Sequence, residues 1–359
     1  MIKPSKPLYY LGLPDAQLDD RISCPVFGGF GERSPIGLGS TPHGYFTGGF
    51  GNNLLTANTD VLNFTTEITN LTPSAELTLA RWTHAGLSNG STCYFAGGGW
   101  RNGSTQGFWN SITDVTDKIT LATDTTAASG AQVEARYACM GVSNQAVGLV
   151  VGGLNAGGTT MNAESFDYAA ETWSSVSGTL QTGATFGGVN FYYEAGEVSN
   201  ATSAYMMGGF DTSDNTRRTT ADIVTFATLT VALSTVVSSV ARSDVAAAGN
   251  TTSGIFIGGD VSVYPTSELT LTDVMEQITY ATDTLASAGT STFDRMDSSA
   301  TGDAVNLYAS GGWLGDTAAA WLSDTSRVDY ATATLTALAA AELVGGERSS
   351  MEAAGSSYF

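Results

Sequence analysis

An apolar or aromatic run closing on two glycines recurs six times along this chain of 359 residues: YFTGG at 45–49, YFAGG at 94–98, GLVVGG at 148–153, YMMGG at 205–209, IFIGG at 255–259 and LYASGG at 307–312. The pairs are Gly48–Gly49, Gly97–Gly98, Gly152–Gly153, Gly208–Gly209, Gly258–Gly259 and Gly311–Gly312, at steps of 49, 55, 56, 50 and 53 residues. Length alone suggests two or three domains. A repeat of about 50 residues argues instead for one supersecondary unit stacked on itself. Glycine suits such a place because a strand end that turns with positive φ, or lies close against a neighbour, tolerates no Cβ.

Two further markers keep the same phase. Arg81, Arg136, Arg242 and Arg295 each stand 16 residues before the first glycine of a pair, Arg33 stands 15 before, and Arg348 opens a further unit. With 11 arginines in the chain, this regularity predicts a structural set that ties neighbouring units by forked hydrogen bonds to backbone carbonyls. After each glycine pair comes an aromatic, a short turn and an apolar residue: FTTEIT at 64–69, YAAETW at 168–173, FATLTV at 226–231, YATDTL at 280–285, YATATL at 330–335, and a weaker VTDKIT at 115–120. Period-2 apolar residues flank these turns, which predicts a hairpin between the third and fourth strands of each unit. One boundary departs from the pattern, with Phe191, Tyr192 and Tyr193 where an Arg is expected.

The pattern resembles the kelch-repeat family over nearly the whole chain. The resemblance implies an all-β fold, a closed β-propeller with four-stranded blades. Only Trp173 stands where that family places a fourth-strand tryptophan, so the chain reads as a divergent relative. After Arg348 the chain ends at Phe359, before another glycine pair, while PVFGGFGERSP near the start is similar to ELVGGERSS at 342–350. The expectation is seven blades, the last shared by both termini, with six as the alternative. Residues 1–7 then form an extended arm and 8–359 a single propeller, Ser357–Phe359 pairing with a strand from 8–30.

Composition narrows the function. Against 14 basic residues stand 34 acidic ones, and a net charge of −20 repels phosphate backbones and anionic lipid, so neither nucleic acid nor membrane insertion is expected. No apolar window is long enough for a bilayer-spanning helix, and the first twenty residues lack the apolar stretch of a secretory signal. Cys24, Cys93 and Cys139 form no C-x-x-C pair, and His43 and His84 are the only histidines. A copper-radical oxidase of the resembled family needs more histidines than that. The Ser165-to-Trp173 segment approaches a sialidase box but lacks its glycine, and Asp211 and Asp214 lack the remaining ligands of a calcium loop. The reading is therefore no catalytic residue, no metal and no cofactor: not an enzyme.

Aromatics in the loops after the glycine pairs are the candidate contact residues: Trp100, Phe108, Trp109, Tyr264, Trp313 and Trp321. Large aromatics anchor interfaces and sugar rings. Lys3 and Lys6, in the proline-restricted arm MIKPSKP, are a second candidate. Kelch-like propellers occur among bacteriophage tail and fibre-associated proteins. The expected function is a structural or adhesion protein of a virion, assembled in the host cytoplasm and contacting other virion proteins or a host surface glycan. A carbohydrate-binding or carbohydrate-active propeller is the alternative.

Overall fold

The structure is a computed structural model that describes residues 42–51, 54–100, 111–132, 134–156, 158–159, 162–179, 195–211, 216–263, 270–314, 321–349 and 351–355. These build six four-stranded antiparallel sheets, the blades of a β-propeller. Blade 2 shows the unit: Ala85–Ser88 innermost, then Thr92–Ala96, Thr116–Thr120 and Thr125–Ala128 outermost. Blades 3 to 6 repeat it, with innermost strands Met140–Ser143, Gly196–Ser199, Ala246–Gly249 and Ser299–Gly302. Five of the aromatic-turn-apolar markers are the hairpins between third and fourth strands, whereas VTDKIT at 115–120 is corrected to the third strand of blade 2, its hairpin following at 121–124; each hairpin bends at a left-handed residue: Glu67, Asp124, Glu171, Leu229, Asp283 and Ala333.

Blade 1 takes its innermost strand from the far end of the chain. Glu352–Gly355 pairs antiparallel with His43–Thr47, which in turn pairs with Thr59–Asn63, and Ile68–Leu71 lies outermost. The propeller therefore has six blades, and the expectation of seven is corrected. The repeat opened by Arg348 lacks a glycine pair downstream because Gly48–Gly49, at the other end of the chain, completes it. The expected pairing of Ser357–Phe359 with a strand from 8–30 lies outside the described residues. Residues 1–41, with the arm 1–7, Arg33, Lys3 and Lys6, lie outside the described residues, as do 356–359.

Six apolar clusters fill the six seams between blades. Between blades 2 and 3, Leu87, Tyr94 and Ala96 meet Cys139, Val150, Phe166 and Tyr168. Between blades 3 and 4, Met140, Val142, Leu149 and Val151 meet Ala204, Met206, Val224 and Phe226. Every blade of a closed ring has a neighbour on both faces, so burial of this kind covers the inner strands of each sheet while the outermost strands stay largely exposed.

Among the described residues, five of the six seams, all but that between blades 3 and 4, are also tied by an arginine. The carbonyl of Arg81 accepts from Gly49 N of the preceding blade at 2.9 Å, and its guanidinium turns into its own blade, donating to Phe95 O at 2.8 Å and pairing with Asp117 at 3.0 Å. Arg136, Arg242, Arg295 and Arg348 repeat this: their carbonyls accept from Gly98, Gly209, Gly259 and Gly312, and their guanidiniums pair with Glu164, Glu276, Asp324 and Asp60. The tie across the seam is thus made by the arginine main chain, while the side-chain fork fastens the second strand to the third within one blade. Gly48 shows why the motif needs glycine: its φ is +62°, and a Cβ would stand 2.4 Å from Arg81 O.

Deleting residues 350–359 should remove the innermost strand of blade 1 and the fully buried Met351, lowering stability to urea by more than about 3 kcal/mol, the scale of one lost core methionine. A peptide of sequence 348–359 added in trans should restore part of it; an unchanged unfolding midpoint would refute the closure. Arg81→Met should cost about 3–5 kcal/mol by stranding the Asp117 carboxylate, and Asp117→Leu added to it should recover most of that loss.

Candidate functional site

Because strands alternate in direction, the loops after the glycine pairs and the blade-to-blade connections emerge on one face of the ring, and the tight hairpins on the other. On this loop face the chain after each glycine pair starts a short ribbon: Phe50–Gly51 pairs with Leu54–Leu55, Gly99–Trp100 with Ser111–Ile112, and Phe210–Asp211 with Thr216–Arg217. The residue following each arginine bridges the residue following a glycine pair, as Trp82 does Gly99, Met296 does Trp313 and Ser349 does Phe50. These ribbons set the aromatic side chains.

Three of the sequence candidates are described, and all are half-buried. Trp313 bridges Trp321 across the blade 6 ribbon. Trp321 meets Phe50 of blade 1 edge to face at 5.8 Å between ring centroids, and Phe50 lies 6.2 Å from Trp82 at the start of blade 2. Trp82 lies flat over Gly99, whose missing Cβ would come 2.6 Å from the indole Nε1, and Trp100 is the next residue. Blades 6, 1 and 2 thus share one aromatic band. Trp82 was not among the candidates from sequence; the place directly after the arginine is aromatic in only one other repeat, at Tyr137, and is Ser or Met at 243, 296 and 349, so it gives no repeated signal. Phe108, Trp109 and Tyr264 lie outside the described residues.

Aliphatic side chains extend the band into solvent. Leu54 (68% exposed), Leu314 (46%) and Val344 (58%) stand on the loops and connection of blades 1 and 6, and Val263 (72%) on blade 5. Val344 is fixed there because its N–H donates to Asp60 Oδ1 at 2.8 Å, the carboxylate that also holds Arg348. A cluster of exposed apolar side chains beside half-buried aromatics is the kind of surface monomeric proteins keep small unless something docks on it.

The electrostatics favour a cationic counterpart. Of the nine Lys and Arg among the described residues, eight hold a carboxylate of this chain, and Arg218 donates to Thr216 Oγ1 at 2.8 Å. The acidic excess behind the net charge of −20 is left without internal cations to balance it.

The ring encloses a small axial cavity of about 80 Å³, open to solvent and lined by the last three residues of each innermost strand, Gly86–Ser88 and Ala353–Gly355 among them. Glu197 is the one titratable lining residue, and burial pushes its carboxyl up to about 8 against a hydrogen bond from Gly141 N. At the position two residues after the arginine, Asp244 and Asp297 share left-handed backbone, with φ of 59° and 56°. Burial, with Asp297 and Asp260 nearby, raises the Asp244 carboxyl well above its ordinary range. His84 is fully buried, held between Thr47 Oγ1 at 2.8 Å and the ring of Phe95, and burial keeps it neutral. Among the described residues no group of three His, Cys, Asp or Glu is arranged to hold a metal ion. Cys93 and Cys139 are buried, and burial pushes the Cys93 thiol up to about 12.

No protein-family model matches the chain, and no curated protein matches it. Among solved structures, one titled "Structure of YjhT" is similar, with a TM-score of 0.59 over 82% of this chain and 97% of that one, at 14% identity. A likeness at that identity shows the propeller fold alone.

Proposed function

We propose that this propeller is a non-enzymatic structural or adhesion protein of the kelch-like type, a component of a bacteriophage tail or fibre, that docks through its loop face onto another protein of the particle. The observation that carries the docking face is the band formed by Trp313, Trp321, Phe50 and Trp82 with exposed Leu54, Leu314 and Val344 beside it. It spans three blades, and its rings are preset by main-chain bridges, so little side-chain freedom is lost on contact. The counterpart is an apolar patch with a basic rim, because the cations of the described residues are already consumed within the chain. The virion setting and the absence of catalysis rest on the sequence reading: low basic content, a hydroxyl-rich surface and the kelch-like repeat.

In cells assembling the particle, a chain with Leu54→Asp, Leu314→Asp and Val344→Asp should keep the wild-type melting temperature, since all three side chains are exposed, yet be depleted at least about tenfold from purified particles. Val305→Asp, in the first hairpin of blade 6 on the opposite face of the ring, should incorporate normally. Equal incorporation of both chains would sink the assignment of this face, and binding of the isolated propeller to a glycan array, lost in the triple variant, would move the reading to a lectin.

A further inference from the structure

Blade 4 is the unit that breaks the rule of the other five. Position 192, where its arginine would stand, is Tyr192, and no Lys or Arg occurs anywhere between Arg136 and Arg217. The carboxylate that such an arginine would hold is nevertheless present. Asp222 pairs with Met206 in the register at which Asp60 faces Phe46, Asp117 faces Phe95, Glu164 faces Val150 and Glu276 faces Phe256. Asp222 is fully buried, and neither of its oxygens has a hydrogen-bond partner.

The same cross-strand row carries a second anomaly. Met206 pairs on its other side with Glu197, whereas the innermost position of this row is Ala353, Gly86, Gly141, Ala247 and Ala300 in the other blades. Paired residues of adjacent strands point to one face of a sheet. Met206 packs into the cluster between blades 3 and 4, so Glu197 and Asp222 flank it at that seam. What faces them there is Met140, Val142, Leu149, Val151 and Ala163 of blade 3, with the phenol of Tyr137 at its border. Glu164 belongs to the other face of blade 3 and is held by Arg136. Arg217 is turned away to Asp260 of the next blade, and Arg218 to Thr216.

We propose that the seam between blades 3 and 4 is a proton-controlled joint: it closes like the other five only while Glu197 and Asp222 are both uncharged, and ionisation of either loosens it and opens the wall of the axial cavity at Glu197. An ionised carboxylate with no cation of the described residues in reach cannot remain in an apolar seam and must draw water in or swing out. Burial alone lifts Asp222 to about 7, with no charged neighbour contributing, and burial lifts Glu197 to about 8, so the change falls in the neutral range. The sign follows from linkage. A carboxyl raised in the folded state is protonated in both states at acid pH, and its cost appears as pH climbs past the unfolded value near 4 and is complete above the folded value.

Urea unfolding of the full chain between pH 4 and pH 8.5 tests this, with Asp222→Asn and Glu197→Gln beside the wild type. Because each unit of displacement is a factor of ten, the wild-type unfolding constant should rise relative to that of Asp222→Asn by up to about a thousandfold across this range. Hydrogen exchange on the wild type gives a reading independent of any variant's folding. Between pH 6 and pH 8.5 the protection factors of Gly196–Ser199 and Ser203–Met207 should drop at least about tenfold more than those of Ser253–Ile257 in blade 5. Tyr192→Arg, which puts an arginine 16 residues before the first glycine of the pair as in the other repeats, should abolish the difference. A wild type and Asp222→Asn that track each other across pH, or protection lost evenly in blades 4 and 5, would overturn the proposal.

Discussion

A guanidinium buried between a carboxylate and a strand-end carbonyl is the interaction on which the rest of the propeller depends. Moving such an ion out of water is costly by itself, so each arginine is stable only because its partners are built into fixed backbone. Those partners also link three levels of structure. The carboxylate that receives the guanidinium gathers amides from the connection between blades: Asp117 accepts from Thr78 N at 3.1 Å, Glu276 from Ser239 N at 2.7 Å, and Asp60 from Val344 N and Gly345 N. The arginine's own carbonyl reaches back to the previous blade through a glycine that no other residue could replace without collision. One side chain and one glycine pair therefore set strand spacing, the path of the connection and the rotation from blade to blade. Lysine, a point charge without a planar fork, could not hold carbonyl and carboxylate at once.

This explains what could be read from the sequence and what could not. The glycine pairs and arginines keep constant separation because only a tight hairpin and two strands lie between them, and a fixed path length leaves a fixed spacing. Their acidic partners are invisible to the same method. Asp60 lies 12 residues after its blade's first glycine, Glu276 lies 18 and Asp117 lies 20, because loops of different length intervene. The blade count failed for a related reason: a ring has no first unit, and a linear reading that starts a blade at each arginine counts the split blade twice, once at each end. The aromatic band was legible only in part. Trp313 and Trp321 could be picked from their loop, but the contact of Trp321 with Phe50 joins residues 271 positions apart, and closure of the ring alone creates it.

Two of the six blades use the arginine unit differently. In blade 1 it acts as a clasp, since Arg348 comes from one end of the chain while Phe46 O and Asp60 come from the other. Ser299 Oγ, donating to Met351 O at 2.7 Å, and Thr69 Oγ1, donating to Ala341 O at 3.0 Å, lock the same junction from both sides. Four backbone pairings of a short strand would be a weak closure alone, and the buried charge pair adds an all-or-none element that resists partial fraying.

Blade 4 stands opposite blade 1, three places round the ring in either direction, and it is where the unit is missing. A six-membered ring clasped at blade 1 by Arg348 has, directly opposite, the one seam that carries no arginine among the described residues and is spanned by Asn144 Nδ2 donating to Ala201 O at 3.0 Å. The chain between them falls into two runs of three blades, each tied within itself by arginine units. Relative movement of two such halves needs both junctions to yield together, so the clasp at Arg348 sets how far the seam at Asp222 can open. The aromatic band crosses blades 6, 1 and 2, spanning the clasp and leaving the seam clear, so a partner seated on that band would hold the halves together at one junction and leave the other free to respond to protons.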